Sequence, residues 1–452
     1  MGMGCRFPTR LIGELATSGA LQLQTGPFGS QLHKEDYVAS GTPVIPTEAI
    51  GRGRIRADVE LPMVSSSKAA ELARHRLRVG DILFARRGIQ ATGLAARIDQ
   101  SFDGALCGTG AILLRVDQEI VDSQFLVAFL ATGEAFNWLR TNAVGAVMPN
   151  LNTGIISGLA IPMPAMDVQR ELGGFLSTLD DRIDNLRATN ATLEAIAQTL
   201  FKSWFVDFDP VHAKAEGREP VGMDAATAAL FPCEFEDSEL GPIPKGWRWV
   251  NAGDAFDVGI GKTPPRKERQ WFTADLSDVP WASIRDMGDS GCFIAYTSEF
   301  LTRDAIDRFH VRMVPAGTVL MSFKLTVGRV AITDREMTTN EAIAHFKSKA
   351  GSPPQTFLYC YLKSFDMGSL DSTSSIATAT NSKAIRQLPM TNPGDELANA
   401  FDRSVGPLFE QIQNQQRQAG SLVQLRDALL PRLISGKLRL PDAASVAVPE
   451  LG

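Results

Sequence analysis

The sequence is written twice. The stretch NTGIISGLAIPMP begins at Asn152 and NSKAIRQLPMTNP at Asn381. Each carries Ile four residues after the Asn (Ile156, Ile385), Leu seven after (Leu159, Leu388) and Pro twelve after (Pro164, Pro393). The offset of 229 residues then persists without a gap. It maps Leu172 on Phe401, Leu176 on Val405, Leu179 on Leu408, Ile183 on Ile412, Leu193 on Leu422 and Leu200 on Leu429. Upstream the match is looser: GDILFARRG and GLAARI (Gly80, Gly93) parallel GTVLMSFK and GRVAIT (Gly317, Gly328), and Gly26 parallels Gly261. A gapless register that keeps an Asn and a Pro is a duplication, and a duplication dictates the architecture. Each half is a globular block followed by a long helix.

The helices have the clearer pattern. Positions 172, 176, 179, 183, 186, 190, 193, 197 and 200 step by four and three and hold Leu, Leu, Leu, Ile, Leu, Asn, Leu, Ala and Leu. That is the a/d seam of a coiled coil. A helix over 167–203 would be about 55 Å long at about 1.5 Å per residue. The second copy offers Phe401, Val405, Leu408, Ile412, Gln415, Ala419, Leu422, Arg426 and Leu429, so each helix is the natural partner of the other. Antiparallel packing about a pseudo-twofold axis layers Leu186 on Ala419, Ile183 on Leu422, Leu193 on Ile412, Leu176 on Leu429 and Trp204 on Phe401. It also sets Asn190 opposite Gln415, which predicts a buried amide pair that fixes the register. The acidic pair Asp180-Asp181 falls on the outward side of this helix and is expected to be solvated.

Within each block, β-rich runs alternate with apolar helical stretches such as SQFLVAFLAT and TFLYCYLKS. The expected fold is α+β: two tandem α/β recognition domains joined by two long antiparallel coiled-coil helices, with a pseudo-twofold internal repeat. The expected boundaries are 1–164 for the first block, 165–205 for the central helix and 206–244 for a linker. The second block takes 245–393, the C-terminal helix 394–440 and a tail 441–452. The polar, Pro- and Gly-containing run DPVHAKAEGREPVGMD marks the linker as an extended connection.

Much catalytic chemistry is missing. GIGKTPP at 259–265 resembles the end of a phosphate-binding loop, but the required first glycine position is Phe256, and Pro264 and Pro265 follow Thr263. Two prolines remove N–H donors and push the preceding residue out of helical conformation, so the anion-binding helix start cannot form. The five histidines (His33, His75, His212, His310, His345) show no metal-ligand spacing, and no S-adenosylmethionine-binding glycine fingerprint is visible. Five scattered cysteines without a CxxC pair argue against zinc and disulfides and for a reducing cytoplasm. Neither a signal peptide nor a membrane span is expected from the apolar runs. The net charge of −6 is uneven: residues 165–244 carry −9, while 8–164 are neutral and 245–393 carry +3. The acid lies on the helical and linker segment, so overall charge does not exclude a nucleic-acid partner for the blocks.

Several motifs carry a family resemblance over essentially the whole chain. LDDRIDNLRATNATLEAIAQTLFKSWFVDFDPV at 179–211, FPCEFEDSELGPIPKGW at 231–247 and LVQLRDALLPRLISGKLRL at 422–440 resemble the repeats of type I restriction–modification specificity subunits. GKTP at Gly261 to Pro264 resembles the Gly-x-Thr-Pro that opens many of that family's recognition domains, and TGPFGSQL at 25–32 looks like its first-copy variant. The resemblance implies a non-catalytic subunit that binds double-stranded DNA, each domain reading half of a split, asymmetric target. It implies two methyltransferase (modification) subunits docked on the helix pair and nuclease/translocase (restriction) subunits joined through them. S-adenosylmethionine, ATP and magnesium would then belong to the partners, with no cofactor in this chain. Loop-borne residues are the candidate DNA contacts: Ser30, Gln31, Lys34, Arg86, Arg87 and Asn150 in the first block. In the second they are Lys262, Thr263, Arg266, Lys324, Thr380 and Lys383. Arg86-Arg87 is the sharpest pair, because arginine grips guanine or phosphate with two parallel hydrogen bonds. Related readings are a recognition subunit of another DNA-modification or phage-defence assembly, and a protein-binding coiled-coil scaffold.

Overall fold

The computed structural model describes residues 7–56, 58–145, 148–367 and 382–440. The chain divides into two compact units, residues 1–184 with 421–452, and residues 185–420. Each contains a five-stranded mixed sheet, and the two sheets are built alike. In the first unit the strands are β1 (Leu21–Thr25), β2 (Gly53–Arg54), β3 (Ile82–Ala85), β4 (Ala95–Arg97) and β5 (Ala111–Val116), in the spatial order β1-β5-β3-β4-β2. In the second they are β6 (Asp257–Ile260), β7 (Phe293–Ile294), β8 (Val319–Ser322), β9 (Val330–Thr333) and β10 (Ile343–Lys347), in the order β6-β10-β8-β9-β7. All neighbours are antiparallel except the edge pairs β2/β4 and β7/β9, which are parallel. A smaller four-stranded sheet and a two-stranded closing ribbon recur in the same order in each unit. The ribbon pairs Thr9–Leu11 with Ala160–Pro162 in one copy and Arg248–Asn251 with Pro389–Asn392 in the other. The duplication is therefore one of topology as well as of letters.

Four helices position the rest: α1 (Ser123–Leu130), α2 (Met166–Phe205), α3 (Gln355–Ser364) and α4 (Asp395–Ile434). The Asp122 carboxylate caps α1 by accepting from the Phe125 N–H at 2.8 Å. In the first unit Leu172 and Leu176 of α2 share a core with Leu429, Leu430 and Leu433 of α4 and with Phe125 and Leu126 of α1. In the second unit the C-terminal part of α2 meets the N-terminal part of α4: the Trp204 and Phe401 rings lie 5.8 Å apart, as the antiparallel layering requires. After Ala197 the buried seam moves from the expected Leu200 to Phe201, which is fully buried while Leu200 is only half-buried. A straight helix drifts relative to a seven-residue repeat, and a bulky ring at the favoured azimuth takes over.

Three expectations need correction. No hydrogen bond joins Asn190 to Gln415: Asn190 Oδ1 and Gln415 Oε1 are both buried and accept from no described residue. The expected amide pair is therefore not formed. The Asp180-Asp181 pair is not simply solvated either, since Asp180 holds Arg426 at 2.7 Å and Asp181 holds Arg54 at 2.8 Å. Finally, the segment 206–244 is folded rather than extended. It contains helices Asp209–Ala215 and Ala225–Ala229 and a small hairpin, and it buries Val211, Phe231 and Ile243 in the second unit's core. Its few apolar residues, spaced among polar ones, are enough to bind it to Trp204, whose ring is 5.3 Å from that of Phe231.

Adjacent glycines in α2 give a direct check on the first unit. A Cβ at residue 173 would lie 2.6 Å from Asp122 Oδ1 and 2.7 Å from the Phe125 nitrogen, whereas one at Gly174 would meet nothing within 4 Å. Gly173→Ala should destabilise by about 1–3 kcal/mol. Gly174→Ala should stabilise by about 0.5–1 kcal/mol, because only the helix-propensity gain remains. Urea midpoints of the two variants should move in opposite directions.

Candidate nucleic-acid interface

Both sheets present an opening turn made by a glycine that admits no side chain. At the end of β1, Gly26 donates its N–H to the Ala111 carbonyl at 2.9 Å, and a Cβ there would come within 2.1 Å of the Gly108 oxygen. At the end of β6, Gly261 donates to the Ile343 carbonyl at 3.1 Å, and a Cβ would come within 2.1 Å of the Asn340 oxygen. The Lys262 N–H is taken by the Thr339 carbonyl at 2.9 Å. Two of the N–H groups that a phosphate loop would aim at an anion are thus spent inside the fold, which closes the nucleotide reading of GIGKTPP. The Lys262 side chain remains exposed, and it makes no hydrogen bond or ion pair with a described residue.

In the first unit, three predicted residues come together at the end of β3. Arg86 Nε donates to Asn150 Oδ1 at 3.0 Å, and the Arg87 and Asn150 backbones form an isolated bridge. Arg86 is half-buried and held by this contact, while Arg87 is exposed. Gln31 belongs to a separate network: its Oε1 accepts from the Phe28 N–H at 3.0 Å and from Arg74 Nη2 at 3.2 Å. Arg74 in turn donates to His75 Nε2 at 2.9 Å. Ser30 and Lys34 are exposed beside it, Lys34 opening a short 3-10 turn. Arg74 was not expected from sequence; nothing in its local pattern separates it from other surface arginines.

The second unit is less uniform. Thr263 donates its hydroxyl to the Glu341 carboxylate. Arg266 is committed to the fold: Nη1 reaches both oxygens of Glu299 at 2.8 and 2.9 Å, and the guanidinium lies 4.2 Å from the Phe272 ring centroid and 4.4 Å from that of Trp281. Lys324 follows β8, its Nζ 5.3 Å from the Phe323 ring centroid. Lys383 is exposed on the short helix Ser382–Arg386. Thr380 lies outside the described residues. Among the described residues no cluster of His, Cys, Asp and Glu could hold a metal.

With this duplicated architecture in hand, comparison with known proteins is decisive. The model of the type I restriction modification DNA specificity domain matches residues 35–195 and again 244–393. The chain belongs to that family. It is 28% identical over 414 residues to the HindI specificity subunit of Haemophilus influenzae, covering 81% of this chain and 88% of the relative. It is 27% identical over 338 residues to the MjaIX specificity subunit of Methanocaldococcus jannaschii, covering 72% of each. The crystal structure of the type I restriction–modification S subunit from M. genitalium matches 96% of this chain and 97% of its own, with 15% identity and a TM-score of 0.54. The chain is thus a specificity subunit with two tandem recognition domains and no catalytic role of its own. As such it works with DNA and with the other subunits of a type I system. No helix among the described residues is long and apolar enough to cross a membrane.

Buried imidazoles beside the two candidate surfaces give this specificity subunit a pH signature. Burial, with Arg74 beside it, pushes His75 down to about 4, and burial with Arg312 nearby does the same to His345. His345 Nε2 meets the Thr339 hydroxyl, directly beneath Gly261. Both rings are neutral in the folded state, whereas an unfolded chain protonates them near 6.5. Their stabilisation is fully present above about pH 6.5 and is lost as pH falls toward about 4. Urea midpoints should fall across that window, and the two imidazole NMR signals should remain those of neutral rings down to about pH 5.

Proposed function

We propose that the chain reads a bipartite, asymmetric DNA target, one half through residues 1–164 and the other through residues 245–393. The helices at 165–205 and 394–440 set the spacing of the half-sites and dock one methyltransferase subunit each, with the folded segment 206–244 tying the second domain to its helix. Nuclease/translocase subunits join through the methyltransferases in the cytoplasm, and S-adenosylmethionine, ATP and magnesium are bound by those partners.

One observation carries this reading. The two domains share a strand order and both opening glycines, yet equivalent loops bear different side chains: Arg86, Arg87 and Gly88 after β3 answer to Phe323, Lys324 and Leu325 after β8. A shared scaffold with divergent loops is what two unlike half-sites demand. Exposed cations on loops of the two domains, Lys34, Arg87 and Lys262, suit phosphate or guanine. Arg266 and Arg86 act one step back, by shaping the loops that carry them.

Replacing residues 1–165 with the corresponding block of another specificity subunit should change one half of the methylated sequence in the cell and leave the other intact. Methylation mapping reads this directly, and a change in both halves would sink the modular assignment. Lys262→Ala should weaken target binding severalfold and reduce the salt dependence by about one ion. The isolated subunit should bind no ATP before or after the change.

A further inference from the structure

The loop between β8 and β9 is built stiffly. Ser322 Oγ donates to the Thr326 carbonyl at 2.5 Å and accepts from the Arg329 N–H at 3.0 Å, while the Gly328 N–H donates to the Ser322 carbonyl at 2.9 Å. Phe323 is buried beneath it, its N–H bonded to the Ala342 carbonyl at 2.9 Å. On the crown of this braced turn sits Leu325, 82% exposed and with φ of +64°.

Neither packing nor backbone geometry accounts for a leucine there. A side chain so exposed contributes little to a core. The left-handed conformation costs energy for any residue with a Cβ, and glycine is its ordinary occupant. In the first domain the third residue after β3 is Gly88, also at positive φ (+126°). A single exposed apolar residue is unremarked on most surfaces. Here exposure, a left-handed backbone and a pinned loop coincide at one residue, next to Lys324. Strained residues of this kind persist where the surroundings hold them for a purpose.

We infer that Leu325 is a base-reading residue of the second domain, making an apolar contact with the 5-methyl group of a thymine in its half-site. This rests on the DNA-reading function proposed above. Phosphates and sugars offer nothing to a branched aliphatic chain, whereas the thymine methyl is the apolar feature of the major groove. Lys324, one residue back, would supply the adjacent phosphate contact. The counterpart Gly88 has no side chain, so the first domain reads at this place with Arg87 instead.

The test uses the complete modification complex and duplexes bearing the target mapped by its own methylation. Leu325→Gly removes the side chain and relieves the backbone, so the melting temperature should be unchanged or higher. Its affinity for the target should fall about five- to tenfold, within the range of one lost base contact. Deoxyuridine replaces each thymine of the second half-site in turn. One replacement should weaken the wild-type complex by a similar factor and leave the Leu325→Gly complex unaffected, with Leu325→Met restoring part of the sensitivity. The assignment is overturned if Leu325→Gly binds as tightly as wild type, if no single deoxyuridine loses its effect in the variant, or if the half-site contains no thymine. Those results leave DNA reading by the wild-type complex intact, whereas failure of the wild-type complex to select its own target would remove both readings.

Discussion

Phe201 is the joint on which the second unit turns. Its ring lies 5.1 Å from Phe205 on the same helix, 5.6 Å from Phe401 on α4 and 5.2 Å from Phe357 on α3. Three elements, the two long helices and the recognition domain's own helix, therefore share one aromatic core. Ring pairs at these tilted and edge-on angles add directional preference to plain apolar burial. The helices cannot swing away from the domain without opening that core. In the first unit the same task falls to leucines, with Leu172, Leu176, Leu429 and Leu433 packed against Phe125. A domain that must present loops at a fixed angle to a spacer has to be continuous with the spacer, and both copies are.

Around each core a polar clamp fixes the docking, and its polarity differs between the copies. The first domain offers the cation: Arg54, on edge strand β2, reaches Asp181 at 2.8 Å and Asp184 at 2.7 Å on α2. The second offers the anion: Asp334, just past β9, accepts from Arg417 at 2.8 Å and from Gln413 at 2.7 Å on α4. Gln416 adds two hydrogen bonds to the Phe293 backbone on β7, from its N–H and to its carbonyl. Partly exposed pairs of this kind stabilise weakly. Their geometry fixes which helix residues each domain meets, Asp181 and Asp184 in one copy and Gln413, Gln416 and Arg417 in the other.

The helical half of this design was legible in the sequence because its signal is local and periodic. Leucines at steps of three and four fix both a helix and its buried face, and the 229-residue register then matches one helix to the other, down to Trp204 facing Phe401. The clamps were illegible for the opposite reason. Arg54 and Asp181 stand 127 residues apart, and nothing near either one announces the other. The same holds for Arg266, whose candidacy as a DNA contact rested on a basic residue in a loop, and whose guanidinium is claimed by Glu299 and two rings. The segment 206–244 misled through its composition, because four or five buried apolar side chains are lost among many polar ones.

What remained for the loops is set by the scaffold. The glycines at 26 and 261 are required by carbonyl oxygens 2.1 Å from where a Cβ would stand, so the fold itself accounts for them. The fold makes no such demand on exposed side chains such as Arg87 and Lys262. Duplicated scaffolds make such positions visible, because one copy can be read against the other. The third residue after the strand (β3 or β8) is a glycine at 88 in one copy and an exposed leucine at 325 in the other, and the scaffold alone accounts for the first and not for the second.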